Sequence, residues 1–177
     1  MSDAASKFNP AVLPADYMKK FESANVREPR HFLYPGQVFV TRDPMTISTI
    51  LGSCAAVCLW DRQKKAGGMN HYLLPEGSGE GPNRLRYGNV ANPELLNQVL
   101  ALGCEMRYLQ ARIFGGSSSF GGDPAHTLGS RNVELAESFL RDAGIPVVER
   151  EVSGKHGRRL IFEISNGTTT IKSFEQA

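Results

Sequence analysis

At 177 residues the chain has the length of one domain, enough to bury roughly two thirds of the surface its unfolded form exposes. Hydrophobic residues at 41% and charged residues at 21% exclude disordered, collagen-like and membrane-spanning classes, and no run approaches the ~20 consecutive apolar residues that cross a bilayer. Twenty Lys+Arg against eighteen Asp+Glu leave a formal charge of +2, too balanced for a surface built to hold nucleic acid. The three cysteines, Cys54, Cys58 and Cys104, are an odd number, and the N-terminal stretch lacks the basic and apolar regions of a secretory signal, so free thiols in a reducing cytoplasm are expected.

Residues 1–32 read as an arm, partly extended, interrupted by Pro10, Pro14 and Pro29, with a short helix over Asp16–Asn25. Residues 33–173 form the domain and 174–177 a tail. Gln37–Thr41 reads as a strand, bounded by Gly36 and Asp43-Pro44. Cys54–Trp60 and Gly68–Leu74 flank the polar Asp61–Lys65 and read as a β-hairpin, and Pro75–Asn92 as a long loop or flap. Asn92-Pro93 supplies a helix cap and first position, with Leu95, Leu96, Val99 and Leu100 on one face and Gly103 as a stop. Arg107–Phe114 reads as a strand running into the glycine-rich 115–122 segment, which can deliver backbone amides to a site. Ser130 or Asn132 caps a second helix, with Val133, Ala136, Phe139, Leu140 and Ala143 on its apolar face and Gly144 at its end. Pro146–Val152, Arg158–Ile164 and Thr168–Lys172 close the chain as strands, the last two joined by Asn166-Gly167. The pattern is α+β.

If the hairpin is symmetric about Arg62-Gln63, Cys54 lies opposite His71 on one face. Directly opposed residues have Cβ atoms about 5 Å apart, close enough for a thiol and an imidazole to act as nucleophile and base. A register slip of one residue would separate them. Cys54 follows Leu51-Gly52-Ser53 at the mouth of its strand, where a nucleophile finds access and amide donors for an oxyanion. Cys58, mid-strand, and Cys104, past a helix end, read as buried filler. Cys54 and Cys58 are roughly 13 Å apart along a strand, too far to share one zinc ion. His31, His126 and His156 read as solvated loop residues, and the glycine-rich segment lacks the Gly-Lys-Ser/Thr ending of a phosphate loop.

Leu51-Gly-Ser-Cys54-Ala-Ala-Val-Cys-Leu-Trp-Asp61 and Gly67-Gly-Met-Asn-His71-Tyr-Leu-Leu-Pro75 resemble the signature of the chemoreceptor glutamine deamidase family, CheD. Arg86-Tyr-Gly-Asn89, Ile113-Phe-Gly-Gly116, Gly129-Ser-Arg-Asn-Val133 and Gly154-Lys-His-Gly-Arg158 resemble further family blocks in the same order, so the similarity spans about 33–172. The resemblance implies a layered α/β/β/α arrangement with mixed β-sheets, like the catalytic domain of glutamine-deamidating toxins. It implies a cytoplasmic hydrolase that converts glutamine side chains of methyl-accepting chemotaxis receptors to glutamate through a Cys thioester, with release of ammonia and no metal or cofactor. It also implies a CheC-type phosphatase as partner.

Carried over by position, Cys54 is the nucleophile and His71 the base. The family's threonine falls at Ser48, with Thr49 beside it; on an extended segment the two point to opposite faces, so one of them is expected to orient the imidazole. Gly52, Ser53 and Asn70 are expected to line the substrate or the oxyanion. Cys54 is expected to be the most reactive thiol, ionised by a neighbouring imidazolium. The competing readings are a cysteine peptidase or transglutaminase, which share the chemistry, and a noncatalytic module that docks a CheC-type phosphatase or a receptor helix.

Overall fold

Two sheets meet by their inner faces, each strand sending successive side chains to opposite sides. The computed structural model describes residues 29–118 and 123–174; the helix expected over Asp16–Asn25 lies outside them, as does the end of the glycine-rich segment. Strands β1 (Arg30–Phe32), β3 (Thr46–Leu51), β8 (Arg158–Glu163) and β9 (Thr169–Ser173) form one sheet in the order β1-β3-β8-β9. Strands β2 (Gln37–Thr41), β4 (Ala55–Asp61), β5 (Ala66–His71), β6 (Leu109–Gly115) and β7 (Val147–Val152) form the other, in the order β2-β5-β4-β6-β7. Both are mixed: β1 runs parallel to β3 and β6 to β7, and the remaining neighbours are antiparallel.

Helices α1 (Gly88–Ala101) and α2 (Leu128–Ala143) pack on the outer face of the five-stranded sheet. There Ala91, Leu95 and Val99 of α1 and Val133, Ala136 and Leu140 of α2 meet Ala55, Val57 and Leu59 of β4. The opposite side chains of β4, Ala56, Cys58 and Trp60, face Ile47, Leu51, Leu160 and Phe162 of the four-stranded sheet. The central strand β4 is therefore buried on both faces along its whole length, which is why its sequence is a near-continuous apolar run rather than an alternating one. Full burial of its Val57 and Leu59 side chains contributes about 1.5–3 kcal/mol each. The Trp60 indole N–H ties the two layers by donating to the Ile164 carbonyl at 2.9 Å. This is the expected α+β class; among the described residues the layers run helix, sheet, sheet.

Four local expectations are corrected. Strand β1 lies in sequence assigned to the arm and β3 in sequence given no element, and the sheet starts at Arg30 because Arg30–Phe32 pairs in parallel with Thr46–Ser48. Helix α1 begins at Gly88, so Asn92 and Pro93 lie inside it. The Leu74 and Pro75 carbonyls accept the Gly88 and Asn89 N–H groups at 2.8 and 2.9 Å, which replaces a side-chain cap. The cap of α2 is Thr127, whose hydroxyl accepts the Ser130 N–H at 3.1 Å, and Asn132 sits in the second turn.

The fourth concerns the hairpin. Asp61 pairs with Ala66, so the turn is centred one residue later than Arg62-Gln63. Asp61 sets this centre: its Oδ1 accepts the Gln63 and Lys64 N–H groups at 2.8 and 2.9 Å, and its carbonyl accepts the Lys65 N–H at 2.8 Å. In this register Ala55 meets Tyr72, which puts Cys54 level with Leu73 and His71 level with Ala56. The shift is two residues, so Cys54 and His71 keep a common face as diagonal neighbours.

Candidate active site

Residues 52–54 form the link by which the chain leaves the four-stranded sheet at Leu51 and enters the five-stranded sheet at Ala55. Cys54 thus stands at the seam between the layers. His71 ends β5 in one sheet and Thr49 lies in β3 of the other, and both point into the seam, with Thr49 fully buried and His71 1% exposed. Cys54 and His71 share the wall of a cleft of about 430 Å³ with Pro35, Ile50, Leu51, Leu73, Leu74 and Leu128, and Arg86 is the charged residue of that wall. The volume lies within the range of small-ligand sites.

The Thr49 hydroxyl joins the two sheets. Its oxygen lies 2.7 Å from the Leu33 carbonyl and 2.7 Å from His71 Nδ1. A hydroxyl has one proton, and the carbonyl can only accept it. Thr49 therefore donates to Leu33 and accepts from Nδ1–H, which puts the ring proton on Nδ1 and leaves Nε2 as the basic nitrogen. Nε2 is buried and accepts no hydrogen bond from any described residue; catalytic contacts often close only around substrate. Ser48 alternates to the other face of β3, is half-buried, and uses its carbonyl to accept the Leu33 N–H at 2.8 Å. Of the two hydroxyls expected near the imidazole, Thr49 is the one that meets it.

Burial makes thiol and imidazole a neutral pair. It lowers the His71 pKa to about 3. Burial also raises the Cys54 thiol to about 11, against smaller lowering effects of its own backbone N–H and of the Arg86 charge. The expectation of a thiolate held by an imidazolium is corrected accordingly: desolvation outweighs charge stabilisation here. Such a pair acts by general-base transfer, the proton leaving sulfur as sulfur attacks. Cys58 and Cys104 are buried in the core, and burial raises both thiols.

The backbone around Cys54 is held from behind. The Ser117 N–H donates to the Gly52 carbonyl at 2.9 Å and the Gly116 N–H to the Cys54 carbonyl at 2.8 Å. The Asn132 amide donates to the Ser53 carbonyl at 2.9 Å. The glycine-rich segment delivers its amides here, to carbonyls of the nucleophile's own loop. Gly115, at φ +105, is required by this approach, since a Cβ there would fall 2.2 Å from the Cys54 carbonyl oxygen. Across a trans peptide the N–H points opposite to the C=O, so the Ser53 and Cys54 N–H groups face away from the groups that hold the carbonyls. Neither donates to another described residue, the Cys54 N–H being turned only to its own sulfur, which suits them to an oxyanion.

Gly52 and Ser53 lie in the wall of the cleft, and Asn70 does not. Asn70 is fully buried; its Oδ1 accepts the Val57 N–H at 2.8 Å, and its Nδ2 donates to Asn92 Oδ1 on α1 at 2.8 Å. One residue before His71, it takes the opposite face, so its expected lining role is corrected to fastening β5, β4 and α1 together. His31 is also placed differently from expectation, in β1, its ring stacked on Phe39 at 3.9 Å. His126, bonded to Asp123 at 2.7 Å, and His156 are exposed. Sequence reasoning missed the Leu33 carbonyl and the two bonds of Asn132 near Cys54. The first has no sequence signal, and the second was masked by reading Asn132 as a helix cap.

A thiol, an imidazole with its basic nitrogen unpaired, and a hydroxyl behind the ring make up a constellation suited to acyl transfer through a cysteine. The profile of the family described as CheD chemotactic sensory transduction matches residues 73–173. A "probable chemoreceptor glutamine deamidase CheD" of Trichlorobacter lovleyi is 41% identical over 143 residues, 80% of this chain and 89% of that protein. Its namesake in Rhodospirillum rubrum is 39% identical over 150 residues, covering 84% and 85%, and one of Anaeromyxobacter dehalogenans is 43% identical over 142 residues, covering 80% and 82%. The chain belongs to the CheD family.

Proposed function

We propose that this protein is a chemoreceptor glutamine deamidase that hydrolyses glutamine side-chain amides to glutamate and ammonia, with residues 30–173 as the catalytic unit. The observation that carries the reading is the 2.7 Å bond from Thr49 to His71 Nδ1, which leaves a neutral Nε2 available in the cleft that also holds Cys54. An amide resists water because its leaving group is poor, so a covalent route divides the barrier. The Cys54 sulfur adds to the amide carbon as its proton passes to His71 Nε2, and the carbonyl oxygen becomes an oxyanion near the Ser53 and Cys54 N–H groups. The imidazolium then protonates the departing nitrogen, which leaves as ammonia, and a thioester remains. Water adds next, giving its proton to Nε2, and collapse of the second intermediate frees glutamate while that proton returns to sulfur. Thr49 keeps the ring in the tautomer and orientation both halves need.

The apolar wall suits the methylene stem of glutamine, while Arg86 adds one positive charge beside the reacting groups. Names of relatives support a chemoreceptor as substrate. The cytoplasm is the compartment we assign. Among the described residues no helix is long and apolar enough to cross a membrane. The family resemblance supports a CheC-type phosphatase as a binding partner. The test is mass spectrometry of a receptor cytoplasmic fragment after incubation, together with ammonia measurement. A gain of about one dalton at specific glutamines, absent with Cys54→Ala, is the outcome expected of a thioester route. A fragment that the protein binds but leaves unchanged would overturn the reading in favour of a docking module.

A further inference from the structure

Asn132 is fully buried in the second turn of α2, yet both bonds of its side chain leave the helix for the two segments that carry the nucleophile and the base. Its Nδ2 donates to the Ser53 carbonyl at 2.9 Å and to the Leu73 carbonyl at 2.9 Å. Its main-chain carbonyl accepts the Tyr72 hydroxyl at 2.5 Å. Two carbonyls can be served only by the NH2 end, so the orientation of the amide is fixed by its partners. Ser53 immediately precedes Cys54, and Tyr72-Leu73 immediately follows His71. The first turn of α2 is close enough for these bonds because Gly129 lies against the Gly116 carbonyl, where a Cβ would come within 2.4 Å of the oxygen.

We infer that Asn132 is a positioning residue for the oxyanion site: by pinning the Ser53 carbonyl it holds the Cys54 N–H toward the cleft. The inference rests on the deamidase reading. The 53–54 peptide is one rigid plane, so fixing its oxygen fixes its N–H. Of the three carbonyls at 52–54, that of Ser53 is the one fastened by a side chain; its neighbours are fastened by backbone amides. Loss of the Asn132 amide lets that plane rotate and carry the N–H out of line with a developing oxyanion. The nucleophile and base themselves stay in place. Ala55 and Tyr72 exchange two backbone bonds of 3.1 and 3.0 Å, Thr49 holds His71, and the Tyr72 hydroxyl is bonded to main chain that any residue at 132 retains.

This separates two reactions of one thiol. Amide hydrolysis passes through an oxyanion, whereas alkylation by iodoacetamide displaces iodide at a saturated carbon and forms none. In the full-length protein, Asn132→Ala and the milder Asn132→Ser are compared with wild type for kcat and KM on a receptor fragment, for the alkylation rate of Cys54, and for melting. The expected result is a fall in kcat on the order of 10²-fold, with KM and the alkylation rate unchanged in a variant that still melts cooperatively. Wild-type kcat in either folded variant overturns the inference, and so does an alkylation rate that falls in step with kcat, which would make Asn132 a support of the thiol. If neither variant folds, Asn132 is a folding residue and the inference fails. A wild-type protein that releases no ammonia overturns the deamidase reading, and the role of Asn132 with it.

Discussion

Replacing Thr49 by valine tests the site most directly, because the change keeps the branched shape that suits a strand and removes only the hydroxyl. Two bonds of 2.7 Å are lost, and the Leu33 carbonyl and His71 Nδ1–H they served are shut off from water. Each orphaned group costs about 1–3 kcal/mol, or roughly 2–6 together. In a domain of this size one kcal/mol moves the midpoint by ~2–4 °C, so melting should fall by on the order of 5–20 °C. Turnover should fall further than stability explains, since without an acceptor at Nδ1 the ring populates the tautomer whose Nε2 bears the proton and cannot serve as base. The limit is the whole contribution of general-base catalysis, about 10²–10⁴ in rate. Thr49→Ser keeps the hydroxyl and should retain most of the activity, and Ser48→Ala should resemble wild type. Ammonia release and thermal melting read the two effects separately. Wild-type turnover in Thr49→Val, or an equal loss in Ser48→Ala, would refute the assignment.

Cys54→Ala should abolish deamidation with little change in melting, because the half-buried side chain sits at the cleft wall on the edge of the core, where a smaller group leaves no closed cavity; residual turnover would exclude a thioester. Cys58→Ser puts a hydroxyl into the apolar layer between the sheets and should cost about 1–3 kcal/mol of stability while leaving kcat intact. Limiting iodoacetamide should label Cys54 before the buried Cys58 and Cys104, yet more slowly than a free thiol; a faster rate would indicate a thiolate–imidazolium pair. Burial brings the His71 pKa down to about 3 in the folded protein, against ~6.5 in the unfolded chain. The unfolded state therefore binds more protons between these values, and stability falls as pH drops through that window by up to ~1.4 kcal/mol per unit. Melting across the window checks this, and His71→Gln should lose that part of the slope. A wild-type curve as flat as that of the variant would show that His71 is not held neutral by burial.

Much of the fold was legible because its signals are local. Gln37–Thr41 is a strand with the bounds its apolar residues indicate, and β6 to β9 lie within a few residues of the apolar runs that suggested them. The misplaced features depend on distant partners. Thr46–Leu51 carries no apolar/polar alternation in its sequence, and pairing with β1 and β8 makes it a strand. Asn92-Pro93 has the composition of a helix start, yet the loop carbonyls of Leu74 and Pro75 begin α1 a turn earlier.

The site divides along the same line. Cys54 and His71 could be paired from the sequence because a hairpin joins them, and the pairing survived a register error because the error was even. The choice between Ser48 and Thr49 could not be made locally, since it depends on which face of β3 turns toward the other sheet. That face is set by the core, where Ile47 and Leu51 pack on Phe162 and Met69 and carry Thr49 inward with them. Alternation then sends Ser48 outward. The hydrophobic pattern that closes the two sheets is thus what selects the hydroxyl behind the imidazole: a one-residue slip of β3 would bury Ser48 and Ile50 in its place and leave His71 Nδ1 facing the wrong side chain.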